Sequence, residues 1–187
     1  MNSPRPLSRL LLVLAAVAVS VLGMVGPATA AVPYCGITWG SLEKTADATG
    51  PAGVLTNVRA GQHGCYDRLV IDVAGSPGAA YDVRYVPQVI SDGSGLPVPL
   101  RGGAFLQVAV RVPAYDMAGN PTYAPADPQE LVDTTGFATF RQAALAGSFE
   151  GVTNVGLGVR ARLPFRVFTL AGPGSGERVV IDVAHQW

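Results

Sequence analysis

The chain has 187 residues, of which 13 are Lys or Arg and 13 are Asp or Glu, so its formal net charge is zero. This balance gives no electrostatic basis for binding nucleic acid or an anionic membrane, and the sequence predicts neither as a partner. The length fits one domain that can bury a hydrophobic core. No cofactor is predicted.

The first 30 residues predict a secretory signal peptide. Arg5 and Arg9 give a positive start, an apolar run follows over residues 10–22, and small residues at 28–30 precede Ala31. The alternative is a helix that stays in the membrane, but the run is short, because a span needs about 20 apolar residues. We therefore expect a secreted or cell-wall-associated protein whose single domain covers residues 31–187.

Cys35 and Cys65 are the two cysteines of the chain, and both follow the predicted signal peptide. In an oxidising, exported setting the leading interpretation is a disulfide. Closing a loop of about 30 residues would stabilise the fold by roughly 3 kcal/mol. A metal site that also uses His63 and His185 is less favoured, because the spacing of His63 and Cys65 is not a common zinc spacing.

The rest of the chain predicts short strands separated by turns rich in Gly and Pro. Alternating apolar residues indicate strands over residues 54–60, 66–74, 79–86, 105–112, 137–145, 149–162, 165–170 and 178–184. Turn residues predict two hairpins, one joining the second and third of these strands and one joining the last two. The short apolar stretch at 34–40 is interpreted as an edge strand or a cover over the core.

Two regions are less regular. Residues 129–146 have partly helical propensity, but Thr134, Thr135 and Gly136 interrupt any single helix, so a strand is favoured there. Residues 113–128 contain four prolines and form a loop of a length that is uncommon unless it binds a ligand or is disordered. Together the pattern predicts an all-β sandwich of about seven to nine short strands with one disulfide.

One strand pattern occurs twice. Residues 67–74 read DRLVIDVA, and residues 177–184 read ERVVIDVA. Each copy places its Arg, its central Val and its second acidic residue on one face, and the other apolar residues on the opposite face. The polar face could be a binding stripe, but we favour the interpretation that Asp72 and Asp182 each pair with an Arg or Tyr on a neighbouring strand.

These repeated strands, the final hairpin, and the segments CGITWGS at 35–41 and RVPAYD at 111–116 carry a family resemblance. The chain resembles the AMIN-like domain family of secreted or lipid-anchored proteins from high-GC Gram-positive bacteria, over residues 35–185. The resemblance implies a β-sandwich related to AMIN domains. Those domains accompany cell-wall amidases and secretins and help to place them at peptidoglycan.

The candidate ligand-binding residues are Arg111, Tyr115, Asp116 and Tyr123, with Trp187 as a further aromatic candidate. Aromatic rings stack on sugar faces, and Arg holds a carboxylate with two parallel hydrogen bonds, so both residue types suit peptidoglycan. The alternative is that the two tyrosines only fix the loop to the sandwich. We expect a non-catalytic cell-envelope module that binds peptidoglycan or an envelope protein.

The alternative function is a small secreted hydrolase. Asp116, Asp127 and Asp133 are the loop carboxylates that could act as acid and base in glycan hydrolysis. Asp in such a loop is also favoured by turn chemistry alone. Nucleophilic catalysis is less favoured, because the sequence contains no G-x-S-x-G motif and only two histidines.

Gly156, Gly158 and Ala161 match a loose dinucleotide-binding fingerprint. That motif needs a helix directly after it, so that the helix N-terminus can bind phosphate. Pro164 follows instead and prevents such a helix. We therefore expect no dinucleotide site here.

Overall fold

The structure is a computed structural model that describes residues 33–187 except 52, 76 and 173. The predicted signal peptide at 1–30 lies outside the described residues. Within the described part, nine strands form two antiparallel sheets, and the helical structure is one 3-10 turn at Tyr34–Gly36. The strands are β1 (Lys44–Ala46), β2 (Val54–Gln62), β3 (Tyr66–Ala74), β4 (Tyr81–Val86), β5 (Ala104–Val110), β6 (Phe140–Phe149), β7 (Val152–Val159), β8 (Phe165–Ala171) and β9 (Glu177–Ala184).

The two sheets share one hydrophobic core. The five-stranded sheet has the order β1-β4-β5-β7-β6, and the four-stranded sheet has the order β2-β3-β9-β8. Leu69 and Ile71 from β3 lie in the same buried cluster as Leu106, Val108 and Val110 from β5. All five are fully buried, because each strand turns every second side chain inward. The prediction of an all-β sandwich is therefore confirmed.

The predicted hairpin between residues 66–74 and 79–86 is wrong. β3 pairs with β2 and β9, whereas β4 pairs with β1 and β5, so the chain changes sheets between β3 and β4. The carboxylate of Glu177 holds this crossing in place by accepting the N–H groups of Gly78 at 2.6 Å and Ala79 at 2.9 Å. Adjacent strands usually pair, but here the crossing after β3 is held by a residue from the other end of the chain. The final hairpin, β8 with β9, is confirmed.

The predicted disulfide is confirmed and joins Cys35 to Cys65. It fixes the segment before β1 to the start of β3. Within that segment Gly40 forms an isolated bridge with Phe165 at the start of β8. Residues 34–40 are therefore a cover rather than a strand, and they end beside the four-stranded sheet.

A segment over residues 87–103 lies across the outer face of the five-stranded sheet. Val89 and Val98 pack there with Ala144 in a small second cluster. A side chain at Gly156 would come within 2.8 Å of Leu100, and one at Gly158 within 1.9 Å of the Arg101 carbonyl oxygen. Side chains of the segment therefore approach Gly156, and its backbone approaches Gly158, too closely for a larger residue at either position.

The region 129–146 contains one strand, β6, which begins three residues later than the strand predicted at 137–145. Residues 128–131 run along its free edge, where Leu131 N–H donates to the Ala143 carbonyl at 2.8 Å and Leu145 N–H donates to the Pro128 carbonyl at 2.7 Å. The edge is therefore protected from pairing with another chain over these residues.

Candidate functional site

The two copies of the repeated strand lie side by side and pair with each other. β3 and β9 are antiparallel, and the central Val70 of the first copy is opposite the central Val180 of the second. In this register the positions of one copy face those of the other in reverse order, so Arg68 is opposite Asp182 and Asp72 is opposite Arg178. The repeat generates a local two-fold axis at the centre of the four-stranded sheet.

The outer face of this sheet carries four arginines on four strands, and we call it the arginine face. They are Arg59 on β2, Arg68 on β3, Arg178 on β9 and Arg166 on β8. Inward-facing neighbours on the same strands belong to the core, which fixes the direction of these side chains. Arg68 and Arg166 lie in one cross-strand row, since both are opposite Asp182. Arg59 lies in the row of Val70, and Arg178 lies in the row of Asp72.

Two of these arginines share one buried carboxylate. Asp182 is fully buried and accepts hydrogen bonds from Arg68 Nε at 2.6 Å and Nη2 at 2.9 Å, and from Arg166 Nε at 2.8 Å. The hydrogen bonds to Asp182 raise the pKa of Arg68 above its usual value. The carboxylate therefore locks both guanidinium groups in place.

The acidic residue of the other copy has a different partner. Asp72 accepts Arg59 Nε at 2.8 Å and Nη2 at 2.9 Å, with Arg59 half exposed. Hydrogen bonding to Asp72 raises the pKa of Arg59. The expectation that Asp72 and Asp182 pair with arginines on neighbouring strands is confirmed by both sets of contacts.

Aromatic rings lie beside the arginines at one end of the face. Arg166 is placed over Trp39, Tyr66 and Phe168, with its guanidinium carbon 5.5, 5.4 and 4.9 Å from the three ring centroids. Arg68 lies 5.2 Å from the Tyr66 centroid. Trp39 precedes β1, and the disulfide at Cys35 and Cys65 holds its segment close to Tyr66. Cation–π contacts of this kind hold the charged groups against the aromatic rings.

A groove of about 240 Å³ crosses the middle of the arginine face. Val70 and Val180 lie in it, and they are 7% and 0% exposed although they point away from the core. Long side chains around them account for this burial, because arginine stems cover apolar surface while their charged ends stay in water. The residues that line the groove are Arg59, Ala60, Gly61, His63, Arg68, Val70, Leu170, Arg178 and Val180.

The candidate residue Arg111 lies on the opposite face of the molecule. It lines a groove of about 220 Å³ on the five-stranded sheet together with Asp82, Asp92 and Asn154. Asn154 is buried and donates a hydrogen bond to Asp92. The structure thus separates Arg111 from the arginine face and surrounds it with carboxylates.

The other three candidates take part in folding the long loop. Asp116 accepts the N–H groups of Ala118 at 2.9 Å and Asn120 at 2.8 Å, and hydrogen bonds from Asn120 lower the pKa of Asp116. The Tyr115 hydroxyl accepts the N–H of Gly151 at 3.2 Å. These contacts tie the loop to itself and to the turn between β6 and β7.

Tyr123 packs against the main core, and burial raises its pKa. Trp187 is 71% exposed, and its Nε1 donates to the Arg162 carbonyl at 3.2 Å. The structure does not bring Arg111, Tyr115 and Tyr123 to one groove among those it describes. Their role in binding stays a prediction.

The loop carboxylates named as alternative catalytic groups each complete a turn. Asp127 accepts the N–H of Gln129 at 2.8 Å, and Asp133 accepts the N–H of Thr135 at 2.9 Å. Asp116 does the same for residue 118, so all three follow the turn chemistry expected of Asp in a loop. In the described ranges, no group of three or more His, Cys, Asp or Glu residues is arranged to hold a metal ion.

Sequence reasoning did not assign a role to the first acidic residue of each repeat. Asp67 is fully buried and accepts the N–H groups of Thr139 at 2.5 Å and Phe140 at 3.0 Å, with His185 Nε2 at 3.1 Å. Glu177 holds two consecutive N–H groups in the same way. The signal was available, because each copy starts with an acidic residue on its apolar, inward face.

Fold and surface together describe a small β-sandwich whose four-stranded sheet has a charged outer face edged by aromatic rings. Residues 53–185 match the family model of the AMIN-like domain, and the chain belongs to this family. No curated protein and no solved structure matches the chain. Family membership indicates a module associated with the cell envelope. Within the part of the chain that the structure describes, no helix is long and apolar enough to cross a membrane.

Proposed function

We propose that this protein is a secreted, non-catalytic module that binds peptidoglycan through its arginine face. One observation carries the proposal: the outer face of the four-stranded sheet combines four arginines, three aromatic rings and a groove with an apolar floor. Membership of the AMIN-like family supports a role at the cell envelope. The disulfide at Cys35 and Cys65 supports folding in an oxidising compartment.

The chemistry of the face suits a polymer of sugars and short acidic peptides. Tyr66, Trp39 and Phe168 offer rings on which sugar faces can stack, and the Arg166 guanidinium contacts all three rings. Guanidinium groups bind carboxylates with two parallel hydrogen bonds. Since rigid strands carry every one of these groups except Trp39, little side-chain order would have to be gained on binding.

Use as a binding module rather than an enzyme is supported by what the loop carboxylates do. Asp116, Asp127 and Asp133 each accept a backbone N–H two residues ahead, and these bonds hold the turns of the long loop. Two carboxylates that face one cleft are what glycan hydrolysis requires. The arginine face presents its carboxylates already paired with arginines.

The test is co-sedimentation of the purified protein with insoluble peptidoglycan. We expect saturable binding by the wild type with no release of soluble fragments. The double variant Arg59→Ala/Phe168→Ala should lose most of the binding, because it removes one guanidinium and one ring from the face. Both residues are at least partly exposed, so the variant should remain folded.

Two control variants locate the site. Arg84→Ala removes an arginine of similar exposure from the five-stranded sheet and should bind as the wild type does. Arg111→Ala/Tyr115→Ala tests the surface that the sequence predicts. Loss of binding in this last variant alone would move the site to the opposite face, and failure of the wild type to sediment would favour a protein partner in the envelope.

A further inference from the structure

The second residue of each repeat is an arginine, and the two arginines differ in their partners. Arg68 forms a two-pronged pair with Asp182, directly across the strand pair. The two-fold relation places Arg178 opposite Asp72 in the same way. Asp72 is instead held by Arg59 from the other side, so the pair between β3 and β9 forms on one side of the axis only.

Arg178 is left with an incomplete set of hydrogen bonds. Its Nη2 donates to the Ala171 carbonyl at 2.6 Å. Its Nε is buried and has no hydrogen-bond partner among the described residues. A buried donor without a partner is costly, and native proteins rarely retain one without a reason.

We infer that Arg178 binds a carboxylate of the ligand and anchors it in the groove over Val70 and Val180. The inference rests on the proposed function, since it names the chemical group that the arginine face recognises. Arg178 lines this groove and is itself partly exposed. A turn of its side chain exchanges the bond to Ala171 for two parallel bonds from Nε and Nη2 to the ligand.

The other arginines of the groove explain why Arg178 is the anchor. Arg59 and Arg68 also line the groove, but each already holds an aspartate with two hydrogen bonds. The positive charge of Arg59 is therefore balanced by Asp72, and that of Arg68 by Asp182. Arg178 contributes a guanidinium that no carboxylate of the described residues pairs with, so an incoming carboxylate meets the least competition there.

The carboxylate could belong to a peptide end or to an acidic sugar, and four small probes separate the two. N-acetyl-alanyl-alanine is compared with its C-terminal amide, and N-acetylmuramic acid is compared with N-acetylglucosamine. The measurement is the chemical shift of the Arg178 Nε–H signal in ¹⁵N spectra of the wild-type protein, assigned by its loss in Arg178→Lys. We expect a saturable shift with one or both acids and none with the uncharged probes.

Arg178→Lys keeps the charge but removes the planar fork, and we expect about tenfold weaker binding of the acidic probe. Arg84→Lys on the opposite sheet is the matched control and should leave the affinity unchanged. Equal binding of the acid and its uncharged counterpart, or undiminished binding by a folded Arg178→Lys, would overturn the inference. The ¹⁵N spectrum of Arg178→Lys, which should keep the backbone signals of the wild type, checks that the variant is folded before the signal is assigned.

Sedimentation with peptidoglycan in parallel separates this inference from the proposed function. If the protein binds peptidoglycan but Arg178 does not respond to any carboxylate, the inference fails and the function stands. If Arg178 binds a carboxylate while peptidoglycan is not bound, the function fails and the anchor stands, with an acidic envelope ligand of another kind.

Discussion

The two copies of the repeated strand have nearly the same sequence and different surroundings. In β9, Asp182 is fully buried between Arg68 and Arg166, whereas its counterpart Asp72 in β3 is partly exposed and pairs with Arg59 alone. The outer neighbours, β2 on one side and β8 on the other, create this difference. A repeated pattern therefore fixes the backbone and the direction of side chains, while the flanking strands decide which partner each repeated residue has.

The largest expected difference between the copies concerns their second acidic residue. Asp182→Ala should lower the free energy of unfolding by about 3–5 kcal/mol, because it leaves two arginines without their buried partner. Asp72→Ala should cost about 1 kcal/mol or less, because its ion pair with Arg59 is largely solvated. Urea unfolding of the two variants measures the difference directly. Equal costs would contradict the comparison.

The first acidic residues should behave alike in spite of their different partners. Asp67→Ala and Glu177→Ala each leave two backbone N–H groups without an acceptor, and we expect a loss of about 2–3 kcal/mol in each case. The Glu177 variant should also raise hydrogen exchange at Gly78 and Ala79, where the chain crosses between sheets. A loss near zero in either variant would show that water replaces the carboxylate without cost.

The arginines of the two copies should differ in how much they stabilise the fold: Arg68 should contribute more than Arg178, the proposed ligand anchor. Arg68→Gln should destabilise the protein by about 2 kcal/mol, because Asp182 loses a charged, two-pronged partner. Arg178→Gln should change stability by about 0.5 kcal/mol or less, since it removes one hydrogen bond to Ala171 and a donor that has no partner. Thermal unfolding of both variants decides whether Arg178 serves the fold.

The smallest expected effect concerns a residue outside the repeated strands, Tyr85, and is measured as the pH dependence of the free energy of unfolding. Burial raises the pKa of Tyr85 on β4 to about 12, against a usual value of about 10. Because the unfolded chain loses this proton first, the contribution of Tyr85 is fully present below about pH 10 and decreases as the pH rises towards 12. The free energy of unfolding should therefore fall over this range, and less steeply in Tyr85→Phe. Parallel pH profiles in the two proteins would contradict this.

Much of the fold could be predicted because alternation along a strand is a local property. The bounds of β3, the inward face of β5 and the final hairpin all follow from residues that are neighbours in sequence. The pairing of β3 with β9 does not, because the two copies lie 110 positions apart and nothing local specifies the partner. The error at the crossing to β4 has the same origin, since β4 pairs with β1 and β5, and Ala79 at the crossing is held by Glu177 from 98 residues away.

The candidate site shows the same limit. The binding chemistry of their side chains is the reason to predict Arg111, Tyr115 and Tyr123 as ligand-binding residues. In the structure the two tyrosines contact the turn after β6 and the core, and so attach the long loop to the sandwich. The arginine face combines residues from four strands and becomes visible only once the strand order is known. The sequence did predict that Asp72 and Asp182 each pair with an Arg or Tyr on a neighbouring strand, because an acidic residue in the middle of an apolar strand needs a partner on the next strand.

The local two-fold axis between Val70 and Val180 has a consequence for any long ligand. If the arginine face were fully symmetric, a polymer could lie along it in either of two directions with equal energy. The flanking strands break this equivalence, because Arg59 beside Val70 corresponds to Phe168 beside Val180. Under the proposed function, a polymer bound across the face would meet charge on one side and a ring on the other, so the protein would distinguish the two directions of the polymer.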